Sequence, residues 1–342
     1  MRPNLYAAEL KIIEVLASLK IKVQPVSMAH RYTCIRFRFD LLSSPKISID
    51  RLFRAEAMLS EEIGQITRIR KDKDSIVVEL PNPCPPMFSF DDVKEKLRKA
   101  DCTLPLALGR TDSGRDFIVD LCKLPHLLIA GSGSDGQLNL LETIMASISE
   151  VRTPDEVQFI LVDIDWNSFD KYSDSEYLME DGLIKDYGVL FEALEWLDNE
   201  IFRRYCLFSN MQCRGIVEYN RQADDKLPYL VLMVKDIVPI QMARGKDFET
   251  YLCKIAAKAR AAGIHIILAS SKASTEIITG IVKNSMPAKI AFKTDSELQS
   301  RIIIDSPEAI YLYFADDVLF HYFLDPKLRR LKLYGIELND IK

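Results

Sequence analysis

His126-Leu127-Leu128-Ile129-Ala130-Gly131-Ser132-Gly133-Ser134-Asp135-Gly136-Gln137-Leu138 is the stretch that decides the fold. His126–Ala130 is short and mainly apolar, as a buried strand is, and the glycines after it read as a loop. Leu138–Ser149 then takes helical spacing. Strand, Gly-rich loop and helix in that order is the setting of a phosphate-binding loop, G-x-x-x-x-G-K-[ST]. Backbone N–H groups and the helix N-terminus cradle the phosphates. The Lys neutralises the β and γ phosphates, and the hydroxyl binds Mg²⁺. Gly131 and Gly136 have the right spacing, but Gln137 stands where Lys belongs and Leu138 where Ser or Thr belongs. Asp135 adds a negative charge close to where phosphate would lie. On spacing alone, a Gly-rich turn of any doubly wound fold is an equal reading.

Outward from the loop, apolar strands and helices alternate. Strands are expected at Val157–Val162, Tyr229–Val234, Ile264–Ala269 and Lys289–Phe292, and helices at Tyr187–Phe208 and Asp247–Ala262. Such alternation implies a mostly parallel sheet covered on both faces. Short strands at Val318–Leu324 and Leu331–Leu338 are expected to close an edge. Before residue 104 the rhythm differs. Helices at Ala7–Leu19, Ile49–Ile63 (with Ser48 as N-cap) and Asp91–Ala100 mix with strands at Thr33–Phe39 and Ile76–Leu80. Pro81, Pro83, Pro85 and Pro86 then block regular structure. The expected organisation is a small α+β domain over 1–103 and an α/β domain over 104–342.

Composition agrees and excludes several classes. At roughly 150 residues per domain, 342 residues make about two domains. Lys and Arg total 45 against 50 Asp and Glu, a net charge of −5, which excludes a generally basic, DNA-coating surface. Apolar runs such as Ile264–Ala269 are far shorter than the roughly 18 residues of a membrane span. Met1–Lys20 mixes Glu9, Lys11, Glu14 and Lys20 into a helical pattern, unlike a secretory signal. The 7 Cys are odd in number with no C-x-x-C pair, so no zinc or other metal site is expected. Reduced, buried thiols in a cytoplasmic protein are the expectation, with Cys206, Cys213 and Cys253 as apolar packing.

His126–Gly131 resembles the strand entering the phosphate loop of the FtsK/SpoIIIE family of DNA translocases. Further stretches resemble that family in the same order. They are Val78–Asn82, Thr153–Val157, Arg203-Arg204-Tyr205, Glu218-Tyr219-Asn220, Leu227-Pro228-Tyr229, Lys258–His265, Ile277–Gly280, and Ser300-Arg301 with Asp305. The resemblance runs from about residue 30 onward. It implies a small α+β domain beside a RecA-like P-loop domain. It also implies assembly as a hexameric ring on double-stranded DNA, driven by ATP and Mg²⁺, as in chromosome segregation.

The departures cluster at one site. The family's Walker B Asp-Glu reads Lys235-Asp236, its γ-phosphate sensor Gln-Arg reads Ser271-Lys272, and its Asp-Pro-Lys after the second strand reads Asp163-Ile164-Asp165. A Lys at the metal position opposes Mg²⁺: unit charges about 4 Å apart repel by about 4 kcal/mol at an effective dielectric near 20. The resemblance leaves Asp236 at the catalytic Glu position and Arg301 as the contact to a neighbour's nucleotide. Lys235 pairs with Asp163, Asp165 or Asp236, reaches phosphate in place of the missing Lys, or is solvent-exposed. His126 and His265 read as structural histidines beside buried strands. Arg203, Arg204 and Arg214 read as interface support or as solvated charges, and Lys254, Lys258 and Arg260 as an exposed helix face. The implied function is a motor module with impaired or lost hydrolysis, a pseudo-ATPase. It would serve as a DNA-associated or ring-forming scaffold, or as silent partner of an active paralogue. An active translocase with rearranged catalytic groups and a protein-binding module of a secretion-type ATPase stay open.

Overall fold

The structure, a computed structural model, describes residues 5–42, 47–72, 74–164, 167–337 and 340–341. Asp165 and Leu338 fall outside these residues. By compactness the chain forms two units, Met1–Pro86 with Asp112–Gly114, and Met87–Thr111 with Arg115–Lys342. The division falls at the proline cluster. The helix after it, expected in the first domain, groups with the larger unit.

The smaller unit contains α1 (Leu5–Ser18), β1 (Val23–His30), β2 (Cys34–Leu41), α2 (Ile49–Ile63), β3 (Arg68–Asp72) and β4 (Ser75–Pro81). Its antiparallel sheet has the order β1-β2-β4-β3. Alternation along β2 turns Ile35, Phe37 and Phe39 to one face, where they pack with Ile12, Leu16 and Leu59 of the helices. Ser48 has the extended backbone of an N-cap, but its side chain makes no capping bond. Its carbonyl accepts from Arg51 and Leu52 instead.

The larger unit begins with β5 (Phe88–Ser89), α3 (Asp91–Lys99), β6 (Pro105–Thr111), β7 (Asp116–Asp120), β8 (His126–Ala130), α4 (Ser134–Ser149), β9 (Val157–Val162) and β10 (Leu178–Ile184). Then come α5 (Tyr187–Asn210), α6 (Ile216–Gln222), β11 (Tyr229–Val234), α7 (Val238–Ala262) and β12 (Ile264–Ser270). The last elements are α8 (Gly280–Ser285), β13 (Ala288–Ala291), α9 (Glu297–Ile304), β14 (Asp317–Tyr322), β15 (Asp325–Lys332) and β16 (Tyr334–Gly335). The main sheet has ten strands in the order β10-β9-β11-β12-β8-β13-β14-β15-β6-β7. Pairing is parallel from β10 through β13 and antiparallel from β13 to β7. The C-terminal strands therefore do not close an edge. They lie inside the sheet, because the β6–β7 hairpin pairs beyond them.

Both faces of the parallel half are covered. Leu127 and Ile129 of β8 join one core with α4, whereas Leu128 and Ala130 join the other with α5, α7, α8 and α9. Arg204 is 1% exposed. Its guanidinium donates to Glu200 at 2.7 Å and to the carbonyls of Pro228 and Ala262, each at 2.8 Å. It braces α5 against its own chain and is not a solvated charge. Lys254, Lys258 and Arg260 are exposed on α7. Cys206 and Cys253 are also exposed, against the expectation of buried packing, whereas Cys213 packs at the core margin. No helix among the described residues is long and apolar enough to cross a membrane.

Candidate functional site

The loop after β8 is shorter than its sequence suggests. Gly131 has φ +129°, and a Cβ there would stand 2.8 Å from the carbonyl oxygen of Phe292, so β13 leaves room only for glycine. Helix α4 starts at Ser134 rather than at the expected Leu138, so Asp135, Gly136 and Gln137 have helical backbone. The Ser132 N–H donates to the Lys293 carbonyl at 2.8 Å, and the Gln137 N–H donates to the Gly133 carbonyl at 3.2 Å. Two amides of this loop and the first turn of α4 are thus engaged within the chain.

Gln137 itself turns inward and is 3% exposed. Its Nε2 donates to the Gly131 carbonyl at 2.7 Å and to the Ser270 carbonyl at 3.2 Å. One neutral amide therefore ties the C-terminal ends of β8 and β12. Leu138 packs against the core and offers no hydroxyl. Asp135 is exposed in the first turn of α4, where a carboxylate complements the positive end of the helix dipole. The Ser132 hydroxyl is 3.5 Å from Asp295.

At the neighbouring strand ends, Lys235 follows β11 and is 9% exposed, which removes the solvent-exposed reading. Its N–H donates to the Val162 carbonyl at 3.0 Å. Asp236 is tied to Ser271: its Oδ2 accepts from the Ser271 hydroxyl at 2.6 Å, and its Oδ1 from the Ser271 and Val238 N–H groups at 3.3 and 3.0 Å. The positions that the resemblance gave as Walker B and sensor are thus brought together, with Asp236 occupied as an acceptor. Lys272 is exposed, and its carbonyl accepts from the Ser270 hydroxyl at 2.9 Å. Asp163 is buried and accepts from the Ser168 N–H at 2.7 Å. Arg301 lies exposed on α9, 3.6 Å from Glu297. Its ion partner belongs to its own helix.

His126 and His265 lie at the opposite end of the sheet, where β8 and β12 begin. His126 Nδ1 accepts from the Ile266 N–H at 3.1 Å, and its Nε2 faces the Ala256 carbonyl at 3.3 Å. His265 Nδ1 faces the Pro125 carbonyl at 2.9 Å. Burial lowers both rings to a pKa of about 4, which keeps them neutral. Their roles are structural. Sequence reading identified Gln137 as a substitution but missed its bonds, because one acceptor lies 133 residues away.

Residues 92–275 match the model of the FtsK/SpoIIIE family. The DNA translocase FtsK of Haemophilus ducreyi is 33% identical over 305 residues, covering 81% of this chain and 32% of that protein. The DNA translocase SftA of Bacillus subtilis is 31% identical over 294 residues, covering 83% of this chain and 31% of the relative. The chain therefore spans about a third of the length of the curated relatives it matches. Among solved structures, the pCW3 conjugation coupling protein TcpA, in its monomer form with ATPγS, aligns with a TM-score of 0.67 at 17% identity. That alignment covers 97% of this chain and 96% of TcpA. The cytoplasmic domain of the type VII secretion ATPase EccC of Thermomonospora curvata aligns with a TM-score of 0.59 at 19% identity, covering 68% and 29%. These likenesses show the P-loop ATPase fold.

Proposed function

Since the chain belongs to the FtsK/SpoIIIE family, we propose that it is a motor module of the DNA-translocase type whose own nucleotide site has lost hydrolysis. It works as a ring-forming or DNA-associated scaffold, or as the silent partner of an active motor. The observation that carries this reading is Gln137. A motor site of this kind needs a cation at the β and γ phosphates and an open cradle of N–H groups. Gln137 supplies no charge, and its amide is bonded to two carbonyls. Freeing it would strand those buried acceptors, at about 1–3 kcal/mol each.

The residues present do not fit Mg-ATP. Leu138 has no side-chain oxygen to offer a metal, and Lys235 brings a buried basic side chain to the position where a divalent ion would need a carboxylate. Asp236 accepts three hydrogen bonds from its own chain, so both of its carboxylate oxygens are already engaged. No step through the nucleotide is derived for this chain.

The test is calorimetric titration of the purified chain with Mg-ATP and, separately, with a non-hydrolysable analogue. No detectable heat at millimolar ligand is expected, together with no ATP turnover. Micromolar binding that is lost in Lys235→Ala would overturn the reading in favour of an active motor with Lys235 replacing the loop Lys. DNA binding that weakens steeply with added salt would separate the translocase branch from a protein-binding module.

A further inference from the structure

Lys289 of β13 and His321 of β14 are direct partners in the antiparallel register. Side chains so placed have Cβ atoms about 5 Å apart, where like charges oppose one another. Lys289 is 7% exposed, and among the described residues its ammonium has no hydrogen-bond or ion-pair partner. His321 Nδ1 is also buried without a hydrogen-bond partner. The carboxylate that acts electrostatically on both is Asp305, at the C-terminus of α9. Asp305 is already engaged by Lys283 of α8 at 2.7 Å. Lys283 also donates to the Arg301 carbonyl at 2.9 Å.

Two ammonium groups thus face one carboxylate, which leaves an excess of one positive charge with His321 neutral. Lys289 shares its one nearby carboxylate with Lys283, an arrangement that a bound anion would complete. We propose that Lys289, His321 and Lys283 form a binding site for a phosphate oxyanion, supplied as free phosphate or as a phosphate of a nucleic-acid backbone. An ammonium brings three donors and an imidazole one, and donors converging from different elements suit an anion with several acceptor oxygens. A singly charged phosphodiester matches the excess charge. Lys283 and Asp305 are 21% and 65% exposed in their side chains and form the open rim through which the anion enters. Asp305 opposes the anion, and its bond to Lys283 screens that opposition.

Burial and the nearby Lys289 hold the His321 imidazole below its ordinary range. A bound anion reverses this and raises it. With 4 histidines in the chain, the imidazole signals are few enough to follow singly by NMR. The full chain is titrated with pH in phosphate-free buffer, in inorganic phosphate, and with a short DNA duplex. The expected result is an upward move of the His321 midpoint with phosphate or duplex. Lys289→Met weakens the anion roughly tenfold and Lys289→Arg retains it. A response to inorganic phosphate alone identifies the free anion. A salt-sensitive response to duplex identifies the backbone. Either supports the site. Lys283→Met gives an independent variant should Lys289→Met not fold. A His321 midpoint unmoved by both ligands, or moved equally in Lys289→Met and Lys283→Met, overturns it.

Discussion

The loop at Gly131–Leu138 and the pair Lys289–His321 are built on the same sheet, yet they treat buried polar groups in opposite ways. Around the loop, donors and acceptors meet one another: the Gln137 amide serves two carbonyls, Ser132 serves Lys293, and Asp236 serves Ser271. At the pair, two basic side chains sit opposite each other with no such partner among the described residues. An unmet buried polar group costs about 1–3 kcal/mol. The chain satisfies the loop from within and leaves the pair unmet. On the readings proposed above, the loop closes on its own hydrogen bonds in place of a ligand, and the pair keeps groups open for one.

The largest expected effect tests the satisfied side. His126 and His265 are held neutral with pKa values of about 4, whereas an unfolded His titrates near 6.5. The folded value is the lower one, so the unfolded state binds more protons between these limits. The stability is fully present above about pH 6.5 and is lost as pH falls toward 4. Acidification from pH 7 to 5 is expected to cost about 2 kcal/mol for each ring. Urea unfolding at the two pH values measures it, and His126→Gln should remove its share of the slope.

A smaller effect separates the two regions directly. Gln137→Met keeps the volume but deprives the Gly131 and Ser270 carbonyls of their donor. A loss of about 2 kcal/mol is expected from the urea midpoint. The smallest effect has the opposite sign. Lys289→Met removes a buried, unpaired charge, so in phosphate-free buffer it should be neutral or stabilising by up to about 1 kcal/mol. If Lys289→Met destabilised the protein as strongly as Gln137→Met, the contrast between the regions would fail.

Part of this was legible in the sequence. The strands that hold the loop are continuous apolar runs, and β8, β9, β11 and β12 lie within a residue of where those runs put them. Strands β1, β3, β6, β7 and β10 were not legible. Arg68-Ile69-Arg70-Lys71-Asp72 and Leu178-Met179-Glu180-Asp181-Gly182 are charged or glycine-bearing edge segments, and edges favour such residues over a clean alternation. The departures at Gln137 and Leu138 could be read by spacing, and those at Lys235 and Ser271 through the resemblance to the family. Their consequences could not, because the Gln137–Ser270 and Asp236–Ser271 bonds join segments far apart in the chain. Lys289 and His321 passed unnoticed for a related reason: only the β13–β14 register makes them neighbours.

The position of β14 and β15 inside the ten-stranded sheet also sets an order of assembly. On a growing chain, β13 stands as an open edge until residues 317–332 have been made, while the β6–β7 hairpin, which packs on α4, waits from much earlier for its strand partner β15. Joining the two halves requires contacts of very long sequence separation, such as Leu331 with Thr111, which form slowly. During synthesis the exposed β13 edge is therefore the segment most open to wrong strand pairing, and it is the one that chaperones have most reason to cover.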